Sequence, residues 1–136
     1  MMGTFDITSS ALVAQRTRLD VIAGNMANAE VTRQEDGTIR PYRRRFVTFV
    51  TGDGGGGPGV HVDAVREDAS PFRLLYAPEH PDRIRAGPYQ DYVQLPNVNL
   101  TMEYVDALAA SRAYEANVAM MSVTRQMVQQ AIRLFA

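Results

Sequence analysis

The fold is decided by residues 5–29, which read FDITSSALVAQRTRLDVIAGNMANA. Apolar side chains in this stretch recur every seven residues, at Phe5, Leu12, Leu19 and Met26. Ile22 and Ala23 fill the adjacent row, so the apolar residues form one narrow seam along a helix. Either Thr4 or Asp6 is a suitable N-cap. The stretch therefore predicts a helix over Thr4–Ala29.

A second helical pattern occupies the C-terminal part of the chain. Its apolar residues follow the alternating three- and four-residue step of a helix: Met102, Val105, Ala109, Ala116, Met120, Val123, Met127, Ala131 and Leu134. An N-cap is expected between Asn99 and Thr101, and no Gly or Pro interrupts the pattern up to Ala136. A helix much longer than the usual length of about 11 residues needs a partner. The N-terminal helix is the expected one.

Both seams are narrow, and their apolar residues taken together are mostly Ala, Met and Val. A pair of such helices leaves flanking apolar surface without a partner. The sequence therefore favours self-assembly, in which helix pairs from several copies pack together. Helices that bury so little are expected to be marginal in an isolated subunit and to become stable against neighbouring subunits.

The middle of the chain has the composition of strands and turns. Residues 42–50 are rich in aromatic and β-branched side chains, and residues 60–65 alternate apolar and polar side chains with period two. Residues 52–59 between them, GDGGGGPG, predict a flexible hairpin loop. Residues 72–76 and 89–95 are two further candidates for short strands, and prolines mark the connections.

These elements predict an α+β fold. Long N- and C-terminal helices form an antiparallel, coiled-coil-like pair, with a small β-rich insert between them in the sequence. We assign residues 1–31 and 98–136 to the helical part and residues 32–97 to the insert, which contains the glycine loop 52–59. A chain of 136 residues with 46% hydrophobic residues can bury one modest core and has little room for a second domain.

Composition excludes several kinds of chemistry and partner. All 14 cationic side chains are Arg and the Cys count is 0, which excludes lysine Schiff bases, thiolate nucleophiles and disulfides. With 15 acidic residues the formal net charge is −1, so no global field attracts nucleic acid or an anionic membrane. We expect neither a membrane span nor a cleavable secretory signal, so any transport from the cytoplasm would use a specialised exporter.

A glycine run and two histidines invite a chemical interpretation, and each has a plainer one. Residues 54–57 lack the Lys and the hydroxyl residue that follow the glycines of a phosphate-binding loop, and Pro58 and a strand come next. His61 and His80 lie near acidic residues but without metal-ligand spacing, so we expect ordinary surface or turn histidines.

The basic cluster consists of Arg40, Arg43, Arg44 and Arg45. In a strand these side chains alternate between faces, which favours subunit contacts or an exposed sheet face over nucleic-acid binding. No serine occurs in the context of a nucleophile elbow. We therefore predict no catalytic, cofactor-binding or metal-binding residue, no small-molecule substrate and no enzymatic activity.

Two motifs resemble those of a known family. Residues 25–29, NMANA, end the N-terminal stretch in the way that is characteristic of flagellar rod and hook proteins. Residues 96–99, PNVN, followed by Glu103 and by residues 110–117, ASRAYEAN, are similar to the C-terminal signature of the same family. The motifs bracket nearly the whole chain, which thus resembles a flagellar basal-body rod protein.

Within this family, the short chain and residues 76–82, YAPEHPD, and 92–96, YVQLP, resemble the proximal-rod proteins. A sister rod subunit of the same family is the alternative. Distal-rod and hook proteins carry larger central domains, for which this chain has no room. One departure is Asp91, where the resemblance leads us to expect Gly before Tyr92 and Val93.

The resemblance implies a mechanical function. In this family the terminal helices pair to build the inner tube of the rod, while the β insert faces outward. The expected partners are further copies, neighbouring rod subunits and the flagellar type III export apparatus. The expected location is the periplasmic rod of the basal body, reached without a cleavable signal peptide, where the rod transmits torque. A stand-alone coiled-coil binding module of a secretion system is the alternative outside the family, because amphipathic termini alone also support it.

The predicted subunit-interface residues lie on the terminal helices: Phe5, Leu12, Leu19, Ile22, Asn25, Met26, Asn28, Val105, Tyr114, Asn117, Met120, Val123, Met127 and Leu134. Asn25, Asn28 and Asn117 are included because they match the family motifs. Their side chains are expected to cap backbone groups or to bridge subunits, where the loss of one partner costs about 1–3 kcal/mol.

Overall fold

The computed structural model describes residues 2–52 and 54–135, and only the backbone of Met2. The described elements are, in chain order, helix α1 (Met2–Ala27), strands β1 (Arg45–Thr51), β2 (Val60–Glu67), β3 (Arg73–Tyr76) and β4 (Tyr92–Leu95), and helix α2 (Leu100–Phe135). Two long helices with a β-rich insert between them confirm the predicted α+β fold. Met1, Asp53 and Ala136, which the predicted helical and loop ranges include, lie outside the described residues.

The helix ends differ slightly from the predicted ones. Because α1 begins at Met2 and ends at Ala27, Thr4 lies inside the helix and is not its N-cap. The start of α2 agrees with the prediction. Asn99 precedes it, and the Asn99 Oδ1 accepts hydrogen bonds from the backbone N–H groups of Thr101 (3.0 Å) and Met102 (3.3 Å). Asn99 is therefore the N-cap of α2.

The two helices pack side by side in antiparallel orientation. Asn25, near the end of α1, contacts Glu103 in the first turn of α2, and Arg18 reaches Asp106 at 3.8 Å one turn further on. Since α1 has 26 residues and α2 has 36, α2 extends about 15 Å beyond its partner. We call residues 126–135, which form this extension, the overhang.

The core is small and polar. Its buried apolar residues are Ala14, Ile22, Ala29, Val93, Val98 and Ala110. Five polar or charged residues are buried as well: Thr8, Asn25, Asp82, Glu103 and Thr124. Burial of apolar surface contributes about 25 cal/mol per Å², so small side chains stabilise this contact only modestly. The helix pair consequently depends on how well its buried polar groups are satisfied.

The predicted apolar seam of α1 flanks this core. Its four members, Phe5, Leu12, Leu19 and Met26, are half-buried. Ile22 is buried, whereas Ala23, which was predicted on the same face, is exposed. Small and polar residues such as Ala14 and Asn25 occupy the centre of the contact instead, where they allow the helix backbones to approach closely.

The insert contains two antiparallel hairpins. β1 pairs with β2, as predicted around the glycine loop, and a bulge interrupts the register between Thr48 and Phe49. β3 pairs with β4 from Arg73↔Leu95 to Tyr76↔Tyr92. The first hairpin docks on α1 through the backbone N–H of Val60, which donates to Ser10 Oγ at 3.1 Å. Gly59 has φ +138°, and a Cβ there would lie 2.5 Å from Ser10 Oγ, so only glycine fits this approach.

Asp91 closes the turn before β4 at the position where glycine was expected. Its φ of +67° lies in the left-handed region, which Asp tolerates better than most side chains. The Asp91 N–H donates to the Ile84 carbonyl (2.9 Å), and the Asp91 carbonyl accepts from the Ala77 N–H (3.0 Å). The carboxylate pairs with Arg83 at 3.2 Å. Side-chain and backbone bonds together thus hold the turn without glycine.

A buried carboxylate joins the two longest connections of the insert. Asp82, whose side chain is 6% exposed, accepts hydrogen bonds from the Arg33 guanidinium and from Thr32 Oγ1. These hydrogen bonds hold the pKa of Asp82 below its usual range. A carboxylate with a lowered pKa stabilises the fold above its unfolded-state pKa, and this contribution is lost as the pH falls through the folded-state pKa.

We predict that Asp82→Asn lowers the urea midpoint of unfolding near neutral pH, because the amide removes the charge that Arg33 pairs with. The difference from wild type should shrink as the pH falls below about 4, the ordinary pKa of Asp. Glu79→Gln, at an exposed carboxylate of the same connection, is the control and should leave the midpoint unchanged. A pH-independent difference for Asp82→Asn would show that its charge is not responsible.

Candidate assembly interface

The most apolar row of α2 lies on its open surface. We call its six large residues, all at least 48% exposed, the outer stripe: Met102, Val105, Met120, Val123, Met127 and Leu134. Ala109 and Ala116 of the same predicted row are also exposed. The sequence analysis expected this row to pack against α1, and the structure contradicts that expectation.

A neighbouring row of α2 faces α1 instead. Its residues also recur every seven positions, at Glu103, Ala110, Asn117 and Thr124, and we call them the inner row. Asn117 is half-buried and the other three are buried. At about 100° per residue, the inner row lies roughly 100° around the helix from the outer stripe. The inner row is visible in the sequence as small and polar residues at seven-residue spacing. A search for apolar periodicity misses this row and selects the outer stripe.

The outer stripe can contribute substantial energy to a contact. Covering the exposed half of a Met, Val or Leu side chain contributes about 1 kcal/mol, so six of them supply on the order of 6 kcal/mol. Association costs an estimated 4–15 kcal/mol in lost freedom of motion. The free energy gained by covering one stripe with one neighbour therefore nearly balances the cost of association. A stable assembly needs further contacts with other copies.

The overhang adds apolar surface on other sides of α2. Ile132 is 62% exposed, Leu134 86% and Phe135 93%. No Asp or Glu occurs after Glu115, whereas Arg125 and Arg133 do. This end of the helix therefore presents a weakly basic, apolar surface to several directions at once.

The remaining predicted interface residues occupy different environments. Ile22 (5% exposed) and Asn25 (0%) lie in the interior of the subunit, and their contacts with other subunits stay a prediction. Asn28, just after α1, donates from its Nδ2 to the Gly24 carbonyl (2.8 Å), and within α2 Asn117 Nδ2 donates to the Ala113 carbonyl (2.9 Å). Tyr114 is 37% exposed. Contacts with other subunits stay a prediction for Asn28, Asn117, Tyr114 and the half-buried α1 seam.

A buried polar node connects α1, α2 and β1, and it is centred on Asn25. The Asn25 Nδ2 donates to Glu103 Oε2 (3.1 Å) and to the Arg45 carbonyl (2.7 Å). The Asn25 Oδ1 accepts from the Arg45 N–H (2.9 Å) and from Tyr42 Oη (3.1 Å). Both donors and both acceptor sites of the amide are therefore used. Burial raises the pKa of the Tyr42 hydroxyl, which keeps it protonated as a donor.

Arg44 completes the node from the strand side. Its Nε donates to Glu103 Oε1 at 2.5 Å, and its guanidinium also lies near Asp106 (3.5 Å) and Asp68 (3.6 Å). The Arg44 backbone N–H donates to Asn97 Oδ1 at 2.8 Å. Glu103, which is 0% exposed, thus has a charged partner and an amide partner. Sequence reasoning missed this function of Glu103 because its pairing partners are remote in the chain.

The arginine cluster is thereby divided between inside and outside. Arg43 and Arg44 are half-buried and bond within the subunit, so the prediction of an exposed sheet face is wrong for them, while their contacts with other subunits stay a prediction. Arg43 Nη1 donates to the carbonyls of Asp68 (2.9 Å) and Ser70 (3.2 Å), and its guanidinium lies 4.3 Å from the Phe72 ring centroid. Arg40 and Arg45 are exposed, as predicted.

Both histidines contact backbone groups. His61 Nδ1 lies 2.8 Å from the Gly52 carbonyl oxygen, and His80 Nδ1 accepts from the Asp82 N–H at 3.0 Å. Across residues 2–52 and 54–135, no three His, Cys, Asp or Glu side chains are grouped in a way that could hold a metal ion. Neither described helix combines the length and the hydrophobicity that crossing a membrane requires.

We predict that Asn25→Asp destabilises the protein by at least about 3 kcal/mol near neutral pH. The substitution removes the two Nδ2 donors and sets a second carboxylate beside Glu103. Asn28→Asp, just after α1, loses one hydrogen bond to the Gly24 carbonyl; it is the matched control and should cost about 1 kcal/mol. Urea unfolding measures both variants, and equal losses would show that the node does not hold the helix pair.

Comparison with known proteins identifies the family. A family model described as flagella basal body rod protein matches residues 5–33, which include Asn25. A model described as the flagellar basal body rod FlgEFG protein C-terminal matches residues 89–134, which include Glu103. The two main partners of the node thus lie in the two matched segments.

Relatives that match nearly the whole chain belong to the same family. The flagellar basal-body rod protein FlgC of Borreliella burgdorferi is 39% identical over 98% of this chain and 97% of its own length. The FlgC proteins of Bacillus subtilis (38% identical, 96% of this chain and 95% of the relative) and Escherichia coli O157:H7 (38%, 98% and 97%) are similar over comparable lengths. The chain therefore belongs to the FlgC family of flagellar basal-body rod proteins.

Proposed function

We propose that the protein is a structural subunit of the proximal rod of the flagellar basal body and that it polymerises through its terminal helices. The observation that carries this proposal is the outer stripe, six large apolar side chains that are 48–86% exposed. The whole-length relatives, named as rod proteins, support the same function. The sister rod subunit and the stand-alone binding module have no comparable support.

The helix pair would form the inner tube of the rod and the insert would face outward. The outer stripe and the overhang lie on α2, away from the hairpin that docks at Ser10 of α1, so neighbouring subunits can reach both without displacing the insert. Arg44 and Asn25 tie the insert to both helices, which gives the subunit the stiffness that transmission of torque requires.

Export would precede assembly. We propose that the chain passes unfolded through the flagellar type III apparatus to the periplasm, without a cleavable signal peptide. A sequence without Cys forms no disulfide that would obstruct threading. The small, polar core and the overhang favour a subunit of modest stability, which gains order from its neighbours. We also propose that the protein has no enzymatic activity, since its family members are named for a structural part.

We predict that Val123→Glu abolishes incorporation into the rod and leaves the fold of the isolated subunit intact. A charge on the outer stripe would have to be buried without a partner in the assembly, at a cost of several kcal/mol. Ser122→Glu adds the same charge at an exposed position on another side of α2 and is the matched control.

Motility of cells complemented with each variant, together with circular dichroism of the purified subunits, measures the two effects. Normal motility with Val123→Glu would contradict the proposal. Equal loss of motility with both variants would show that any added charge on α2 blocks assembly, so that the outer stripe has no special part in it.

A further inference from the structure

We infer that the polar node fixes the rotation of α2 about its axis and thereby keeps the outer stripe on the surface of the subunit. Glu103 and Asn25 are the positioning residues in this device. The consequence for assembly rests on the proposed function, whereas the rotation of α2 can be measured independently of it.

The hydrophobic effect alone favours a different rotation of α2. The inner row contains Glu103, Ala110, Asn117 and Thr124, while the outer stripe contains Met, Val and Leu side chains that are 48–86% exposed. A roll of about 100° around the helix axis would bury the part of the stripe that lies beside α1 and would turn the inner row away from α1. The observed rotation therefore requires an interaction that opposes the roll.

The node supplies that interaction. A roll would carry Glu103 away from Asn25 Nδ2 (3.1 Å) and from Arg44 Nε (2.5 Å). Asn25 itself cannot follow, because its amide is bonded to both backbone groups of Arg45. The roll would thus leave a buried donor without one of its partners, which is strongly unfavourable. A single buried polar residue fixes register in coiled coils in the same way, with some loss of stability.

The lock also prevents the subunit from covering its own assembly surface. If the stripe packed against its own α1, the subunit would be more apolar inside and would offer little surface to a neighbour. Glu103→Leu removes the carboxylate that opposes the roll, while Arg44, whose side chain is 23% exposed, keeps Asp68 at 3.6 Å as a charged partner. An apolar residue at position 103 should therefore yield a folded subunit whose stripe is hidden.

Oxidation of the three stripe methionines by dilute hydrogen peroxide, followed by mass spectrometry of the full-length chain, reports the rotation. In Glu103→Leu, oxidation of Met102 and Met120 should be slower than in wild type by about threefold or more, because a buried thioether reacts slowly. Met127 lies in the overhang, beyond the end of α1, and its oxidation rate should change little. Glu115→Leu, at an exposed glutamate outside the node, is the matched control and should leave the rates unchanged.

Unchanged oxidation in a folded Glu103→Leu variant would overturn the inference. If circular dichroism shows that this variant does not fold, Glu103→Met decides, since it keeps an unbranched side chain of similar length and has no carboxylate to accept from Asn25 and Arg44: slower oxidation of Met102 and Met120 supports the inference and wild-type rates overturn it. Slower oxidation together with normal incorporation into the rod would uphold the rotational lock and contradict the proposed function of the stripe.

Discussion

The side chains of Asn25 and Glu103 meet at 3.1 Å in the interior of the subunit, where α1, α2 and β1 come together. Both side chains are 0% exposed, so neither can exchange its protein partners for water without opening the structure. Through Arg44, the same node reaches the insert, and through Asn97 it reaches the segment that leads into α2. One set of polar contacts therefore determines both the orientation of the two helices and the attachment of the insert. The small apolar side chains around these contacts contribute little to the free energy of folding.

This arrangement divides α2 into two functional faces. The inner row is small and polar and holds the subunit together, while the outer stripe is apolar and left for neighbours. The stripe side chains are 48–86% exposed in the isolated subunit, and a single neighbour only offsets the cost of association. We propose that polymerisation covers each stripe, which agrees with membership in a family of rod proteins.

Much of the fold was predictable, because helix and strand periodicity are local properties of sequence. The two terminal helices, the Asn99 cap and the hairpin around residues 52–59 required only spacing, capping and turn chemistry. The rotation of α2 was not predictable in this way, since the most apolar row is normally assumed to be the buried one. The pairing of Glu103 with Arg44 was not predictable either, because it joins positions 59 residues apart. The outer stripe was predicted as a set of residues, but its lack of contact with α1 emerged only from the structure.

Because the natural sequence contains no Cys, a single introduced thiol reports directly on one position of the outer stripe. Maleimide labelling of Val123→Cys, in the purified subunit and in isolated basal bodies, tests whether neighbouring subunits cover the stripe. Glu79→Cys, on the exposed insert, provides the reference for reagent access. We predict rapid labelling of Val123→Cys in the free subunit and strong protection in the rod, with Glu79→Cys labelled in both. Equal labelling of Val123→Cys in the free subunit and in the rod would contradict it.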